Sequence, residues 1–193
     1  MAFITINDMK IELGITDNTN DLLLQAIVNG VLGLWDEMTN RIWAKTTHTE
    51  YHDSPRFNSV VFLRNYPVDS SEAVQLWDDP SWEWGDDTEI DSGDFRVDYD
   101  NGIIYYDGFF YEGKQSIKVV YTAGYSDSDV PKWLKEILIR QASHWFEQAR
   151  NKSWHLSSLA TGEGGTTSYK NLKDNLLPEF VLLAEINRRG TNT

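Results

Sequence analysis

The stretch QSIKVVYTAGYSDSDVPKWLKEILIRQASHWFEQ, residues 115 to 148, decides the fold because its periodicity changes from that of a strand to that of a helix. In the first part Ile117, Val119 and Tyr121 fall on one face, which predicts a strand. In the second part the spacing of three and four residues predicts a helix with one polar member near the centre of its stripe. That stripe consists of Leu134, Ile137, Leu138, Gln141, Trp145 and Gln148. Pro131 suits the first helical position, and Asp127 to Asp129 would supply the cap.

The N-terminal part also has helical patterns. Thr5 and Asp8 form a capping sequence for a short helix through Leu13, and Gly14 would end it. A second helix of about twenty residues is predicted from Asp21 by helical spacing of its apolar residues. Those residues are Leu23, Ile27, Leu34, Met38 and Ile42. Within this helix Gly30 and Gly33 permit close approach by a neighbouring element.

The middle of the chain has the alternation and turn signals of β-strands. Strands are predicted at 46–52, 60–63, 74–77, 95–99 and 103–106, besides the one at 115–121. The turn signal Asp100-Asn101-Gly102 joins two of them as a hairpin. Between the third and fourth strands lies the acidic loop, residues 78–94, which we predict to be long and irregular and which contains Trp82 and Trp84.

The C-terminal part is predicted to begin with a mobile loop, because glycine, serine and threonine predominate from 157 to 168. A last helix is expected over about 171–189, interrupted at Pro178, with Arg188 and Arg189 in its final turn, where cations are favourable. We therefore predict an α+β fold, in which N-terminal and C-terminal helices form a small bundle with a β-rich insertion between them. The expected parts are 1–45 (helices), 46–125 (β-rich insertion), 126–156 (bundle helix) and 157–193 (loop, last helix and tail).

The charge is concentrated in the middle of the chain. The whole chain has a net charge of −13, and residues 69 to 101 hold twelve acidic residues against the single basic residue Arg96. A field of this sign repels phosphate backbones, which argues against ordinary nucleic-acid binding. The simplest interpretation is a solvated, solubilising face.

The chain has no cysteine, which excludes disulfides, thiolate zinc sites and a cysteine nucleophile. The first ten residues lack the basic and apolar regions of a signal peptide, and no apolar run approaches the length that spans a bilayer. We therefore expect a soluble protein made in the cytoplasm. Neither a nucleophile elbow nor a phosphate-binding loop is present, and the glycine-rich segment 162–167 is interpreted as a linker.

Two clusters are candidates for metal sites. His48 and His52 would share one strand face with Glu50, but about 13 Å separates two positions four residues apart on a strand, which is too far for one ion. In the acidic loop the alternating carboxylates of Asp87, Glu89 and Asp91 resemble a calcium loop. The spacing fails, since Ser92 stands at the glycine position and Asp98 at the position of the bidentate glutamate. An irregular calcium site remains an alternative, as does a sugar-stacking surface formed by the nearby tryptophans.

The order of these pieces resembles the head–tail connector family of tailed bacteriophages, also called adaptor or head-completion proteins. The residues that carry the resemblance are VFLRNYPV (61–68), VVYTAGY (119–125), the Val130-Pro131 helix start, IRQASHWFE (139–147) and Leu177-Pro178-Glu179. The resemblance covers about residues 5–155 and 171–189. The acidic loop is an addition to the pattern of the shorter members.

The resemblance implies a structural, non-catalytic protein of the virion neck, assembled in the cytoplasm of the bacterial host and without a cofactor or membrane. Such proteins form a ring, typically of twelve subunits, beneath the portal; the ring extends the DNA channel without binding DNA specifically and docks a tail-side neck or tail protein. We expect a partner interface at Trp82, Trp84, Gly30, Gly33, Phe180, Arg188 and Arg189, and an acidic channel or rim at Asp78, Asp79, Asp86, Asp87, Glu89 and Asp91. The C-terminal segment 176–193 is expected to contact the portal. The alternative is a carbohydrate- or calcium-binding β-module that uses the acidic loop.

Overall fold

A computed structural model of the chain describes residues 3–151, 156–158, 168–169 and 175–190. It has helices at both ends and a β-rich middle, so the predicted α+β fold is confirmed. The chain divides into two compact units. The helical unit consists of Met1–Asn40 and Asp129–Arg188, and the β-unit consists of Arg41–Ser128 and Arg189–Thr193. Among the described residues, no helix combines the length and the apolar character needed to cross a membrane.

The helical unit contains four helices in its described part: α1 (Ile6–Leu13), α2 (Asp21–Thr39), α3 (Lys132–Arg150) and α4 (Pro178–Ile186). The predicted cap of α1 is confirmed. The backbone N–H of Asp8 donates to Thr5 Oγ1 at 3.1 Å, while the Thr5 N–H donates to Asp8 Oδ2 at 2.8 Å. Gly14, with a φ of 65°, ends the helix in the left-handed conformation that glycine adopts readily.

The polar member of the α3 stripe, Gln141, has a structural role. Its side chain is fully buried, donates to the carbonyl of Asn175 at 3.1 Å and accepts from the N–H of Leu177 at 2.8 Å. Trp145 Nε1 donates to the same Asn175 carbonyl at 2.9 Å. These bonds satisfy the backbone just before α4 and fix where that helix starts.

Three predictions for the helix ends are corrected. Pro131 is the N-cap residue of α3, one position before the predicted place, so Asp127 to Asp129 do not occupy the cap position. Pro178 begins α4 rather than interrupting a longer helix, as expected of a residue without an N–H. Because α4 ends at Ile186, Arg188 and Arg189 lie beyond its last turn.

The β-unit contains two three-stranded antiparallel sheets. In the first, β6 (Gly113–Ala123) lies between β1 (Thr46–Ser54) and β3 (Gln75–Asp78). In the second, β5 (Ile103–Tyr106) lies between β2 (Val60–Phe62) and β4 (Phe95–Asp98). All six predicted strands are present, with ends that differ by a few residues.

Both sheets contribute to one apolar core. The cluster takes Val61, Phe95 and Ile104 from the second sheet and Leu76, Ile117 and Val119 from the first, so the inner faces of the sheets are opposed across it.

The segment between α3 and α4 is described only in part. Leu156–Ser158 (β7) pairs antiparallel with Ser168–Tyr169 (β8), a hairpin that the sequence did not predict. The predicted mobile loop at 157–168 lies mostly outside the described residues, and so does the 171–174 part of the predicted last helix.

Candidate assembly surfaces

The acidic loop is organised by one carboxylate, that of Asp79. This side chain is 2% exposed and accepts four hydrogen bonds: from the hydroxyl and N–H of Ser81 at 2.6 and 2.7 Å, and from the N–H groups of Glu83 and Trp84 at 2.8 Å each. The bonds, first that from the Ser81 hydroxyl, hold the pKa of Asp79 at about 2. The beginning of the loop is therefore a specified turn within a segment that, apart from a short 3-10 turn at Asp86–Thr88, has no regular secondary structure.

Asp78 also faces inward. Its carboxylate accepts from the N–H of Tyr111 at 2.9 Å, and burial raises its pKa, with the neighbouring Asp79 charge adding to the shift. Asp78 and Asp79 therefore do not belong to the exposed acidic surface on which the sequence placed them. Four of the predicted acidic residues are exposed: Asp86, Asp87, Glu89 and Asp91.

The two tryptophans of the loop differ in exposure. Trp82 is 58% exposed, and its Nε1 donates to the Lys114 carbonyl at 3.1 Å. Trp84 is half-buried, with its ring 5.7 Å from that of Tyr51. Both have positive φ angles, 66° and 54°, which cost about 1–2 kcal/mol for a residue other than glycine. The bonds to Asp79 hold this backbone in place, so Trp82 is presented on a fixed turn.

The other predicted interface residues lie in different settings. Phe180 is fully buried in the helical unit, 5.2 Å from the ring of Trp35, so it belongs to the core and not to an exposed surface. A Cβ at Gly30 would come within 3.4 Å of Trp145, which confirms close approach at that glycine, although to an element of the same chain. Gly33 is exposed, and a Cβ added to it would meet no atom of the described residues within 4 Å. Arg188 is exposed, and Arg189 lies in the β-unit.

A buried network joins β1 to the segment after β2. Glu50 accepts hydrogen bonds from the Tyr121 hydroxyl, from Asn65 Nδ2 at 3.2 Å and from the Arg64 N–H at 3.1 Å, and His52 Nε2 lies 3.1 Å from it. Burial raises the pKa of Glu50, but the bonds from His52, Tyr121 and Arg64 outweigh it and hold the pKa below its usual value. The carboxylate is thus a permanent acceptor that braces the unit.

The network does not form a metal site. The predicted shared face of His48, Glu50 and His52 is confirmed, since these positions point inward and their neighbours outward. Burial lowers the pKa of His48, which favours the neutral ring. Within the described part of the chain, no three histidine or acidic residues come together closely enough to hold a metal ion, in this network or in the acidic loop.

Comparison with solved structures relates this fold to particle necks. The chain matches a protein in the neck of an empty gene transfer agent particle, computed with C6 symmetry, with a TM-score of 0.61 and 16% identity over 98% of this chain and 92% of that one. It matches a protein in the neck of the native particle, computed with C12 symmetry, with a TM-score of 0.57 and 16% identity over 97% and 91%. A protein from the virion of the native particle gives a TM-score of 0.54 and 15% identity over 91% and 82%.

No protein-family model and no curated protein sequence matches the chain. The structural matches show that the chain has the fold of proteins found in the necks of phage-like particles, over nearly its whole length.

Proposed function

We propose that this chain is a structural, non-catalytic neck protein of a tailed-phage-like particle. The observation that carries the proposal is the agreement in fold over 98% of the chain with a protein from such a neck. That agreement includes both the helical and the β-rich regions, so it is not limited to one common motif. The connector-like motifs at 119–131 and 139–147 support it independently.

In this proposal several copies form a ring beneath the portal, and the ring joins the head to a tail-side protein. The C6 and C12 symmetry of the related necks supports a ring, with twelve copies as the simplest number. DNA passes through without specific binding, for which a net charge of −13 is suitable, because an acidic lining repels phosphates. Assembly would take place in the host cytoplasm.

The portal contact is assigned to the C-terminal segment, residues 176–193. Helix α4 is apolar on almost every side: Phe180 and Ala184 are buried, whereas Leu182 and Ile186, one turn apart, are 57% and 69% exposed. A helix that is apolar all round is typical of an element covered on more than one side. The second covering surface would be supplied by the portal.

The carbohydrate- or calcium-binding alternative receives less support. Asp78 and Asp79 are engaged in internal hydrogen bonds, and Trp82 contributes its Nε1 to the carbonyl of Lys114. Neither feature points to a ligand.

A pair of substitutions on α4 tests the proposal without removing its buried residues. Particles would be produced with Leu182→Asp/Ile186→Asp, and with Glu185→Gln on the same helix as the control. We expect the double variant to leave DNA-filled heads without tails and the control to give joined particles, counted by electron microscopy. Normal joining by a folded double variant would contradict the portal contact, and absence of the wild-type chain from purified particles would contradict the neck function.

A further inference from the structure

The outer face of the β2–β5–β4 sheet carries two exposed aromatic side chains. Alternation puts Val61 and Ile104 into the core, so Phe62 on β2 and Tyr105 on β5 point away from it. Each of these rings is 45% exposed. Val60 and Ile103 lie beside them, half-buried, on the same face.

This face is also cationic. Arg96 on β4 is the cross-strand partner of Tyr105 and shares its outward side. Arg64 follows the end of β2 and is exposed between the buried Leu63 and Asn65, so it continues the outward alternation of Phe62. The guanidinium of Arg189 lies 5.7 Å from the Phe62 ring. Together Phe62, Tyr105, Arg64, Arg96 and Arg189 form what we name the arginine–aromatic face.

The charge of this face is opposite to that of its surroundings. The β-unit has 17 acidic and 8 basic residues. Within the described part of the chain, neither Arg64 nor Arg96 has a carboxylate at salt-bridge distance. Asp98, two residues after Arg96, lies on the same outward side of β4. Its carboxylate accepts from the N–H and Nδ2 of Asn101 at 3.1 and 2.9 Å, so it is already bound to the turn. Arg64 and Arg96 are thus available to an acidic partner.

The same chain carries a surface that fits this face, the exposed part of the acidic loop. Asp86, Asp87, Glu89 and Asp91 are exposed, and among the described residues none of them forms a salt bridge. The loop is held to the first sheet by a backbone hydrogen bond, which the N–H of Ile90 donates to the Leu76 carbonyl on β3 at 2.8 Å. Its carboxylates are therefore presented by a backbone that is already fixed.

The loop and most of the face belong to different elements of the β-unit. The loop runs from β3 to β4 and packs Ile90 against the shared core, whereas the arginine–aromatic face points away from that core. Phe62 and Arg64 belong to β2 and its continuation, at the opposite edge of the sheet from β4. Two complementary surfaces at different places on one chain produce a head-to-tail contact between copies, and such contacts form a ring when the rotation between neighbouring copies closes.

We propose that the arginine–aromatic face binds the acidic loop of a neighbouring copy of this chain. The inference rests on the proposed ring and gives it a subunit contact. Carboxylates of one copy pair with Arg64 and Arg96 of the next, and the two rings of the face cover the loop backbone. Charge complementarity selects a second copy as the occupant, because the chain itself supplies the acidic surface in a fixed conformation.

Disulfide cross-linking tests the contact, since the chain has no native cysteine. Particles would be produced with Tyr105→Cys and Asp87→Cys in the same chain, then oxidised and separated on a denaturing gel. We expect a ladder of covalent multimers in steps of 22.2 kDa, because each copy bonds to two neighbours. In the control pair, Tyr105→Cys with Glu72→Cys, the second cysteine replaces an exposed acidic residue outside the loop, and no ladder should form.

Each outcome separates the contact from the function. A ladder with the test pair alone supports the contact. If the chain is present in particles but no ladder forms, the contact is overturned and the neck function is left intact. A cross-linked monomer would show that the loop reaches the face within one chain, and absence of the chain from particles overturns both proposals.

Charge reversal gives a second test that does not depend on cysteine geometry. Arg64→Glu/Arg96→Glu should lower the yield of joined particles by about tenfold or more, because like charges then face each other. Adding Asp86→Arg/Asp87→Arg to the same chain should restore most of the yield. If the reversed loop fails to restore it, the face binds something else. If Arg64→Glu/Arg96→Glu particles lose their DNA, and adding the two loop substitutions does not restore DNA retention, the occupant of the face is DNA.

Discussion

The two units of the chain differ in what they leave exposed. The helical unit exposes large apolar side chains, with Leu22 at 90%, Ile11 at 73% and Ile186 at 69%. The β-unit exposes large apolar side chains too, but these are mainly aromatic, such as Phe57 at 66% and Trp82 at 58%, and it also exposes charges of both signs at separate places. Its carboxylates Asp79 and Glu50 are held inside hydrogen-bond networks. Among the described residues, the exposed large apolar side chains of the helical unit are aliphatic except for Trp133. The helical unit therefore offers surfaces suited to apolar contacts, and the β-unit offers surfaces on which aromatic and electrostatic contacts are combined.

This difference bears on assembly. Apolar contacts bury area and hold partners together, whereas charged surfaces contribute mainly to selectivity and to the rate of encounter. The proposed function requires both, because in it the chain stays attached to the head and selects its neighbours in the ring. We propose that the exposed aliphatic side chains of the helical unit supply the first, and that the charged and aromatic surfaces of the β-unit supply the second.

The largest effect on stability is expected in the core of the helical unit. Phe180→Ala removes a fully buried ring that packs edge-on against Trp35, and should lower the free energy of unfolding by about 3–5 kcal/mol. Urea denaturation followed by circular dichroism measures this. Leu182→Ala, an exposed position on the same helix, is the matched control and should change the free energy by about 0.5 kcal/mol or less. Equal losses for both variants would show that α4 is not anchored by Phe180.

A smaller effect is expected from the buried network of the β-unit. Both carboxylate oxygens of Glu50 accept hydrogen bonds from donors. Glu50→Gln replaces one of these oxygens by an NH₂ group, which would have to face a donor, so the substitution should lower the free energy of unfolding by about 1–3 kcal/mol. Glu72→Gln, an exposed acid of the same unit, should be nearly neutral. Urea denaturation of both variants measures the difference.

The same network predicts a pH dependence. The pKa of Glu50 is lower in the folded chain than its ordinary value of 4.5, so its charge stabilises the fold above that value. The contribution should be lost as the pH falls from 4.5 through the lowered pKa, and the Glu50→Gln variant should lose less stability over that range than the wild type. A parallel decline of the two proteins would contradict the role of this carboxylate.

Local sequence patterns predicted most of the fold because the interactions that fix them are local. The Thr5–Asp8 cap spans three residues, and the alternation of His48, Glu50 and His52 follows from strand geometry alone. The inward carboxylates could not be recognised in the same way. Asp78 accepts from Tyr111, which lies 33 residues away, so nothing near Asp78 in the sequence distinguishes it from the exposed Asp86.

The surfaces were predictable only in part for a similar reason. The acidic loop is visible as composition, but the arginine–aromatic face is assembled from separate strands and segments and has no contiguous motif. Gln141 is recognisable as a polar member of an apolar stripe. Its partners, the backbone groups of Asn175 and Leu177, lie more than thirty residues further along the chain and could not be inferred.

The smallest effect on stability is expected at Trp82. Its side chain is 58% exposed and makes one hydrogen bond to the Lys114 carbonyl, which water can replace, so Trp82→Ala should cost about 1 kcal/mol or less. Trp82→Gly separates the effect of losing the side chain from that of the backbone conformation, because glycine adopts the φ of 66° without strain. The glycine variant should therefore be at least as stable as the alanine variant. If Trp82 is a partner anchor, both variants should reduce joined particles while unfolding at nearly the wild-type urea concentration. Full joining by the alanine variant would instead show that this tryptophan covers only its own chain, and the contribution of the β-unit to assembly would then rest on its other exposed surfaces, the arginine–aromatic face among them.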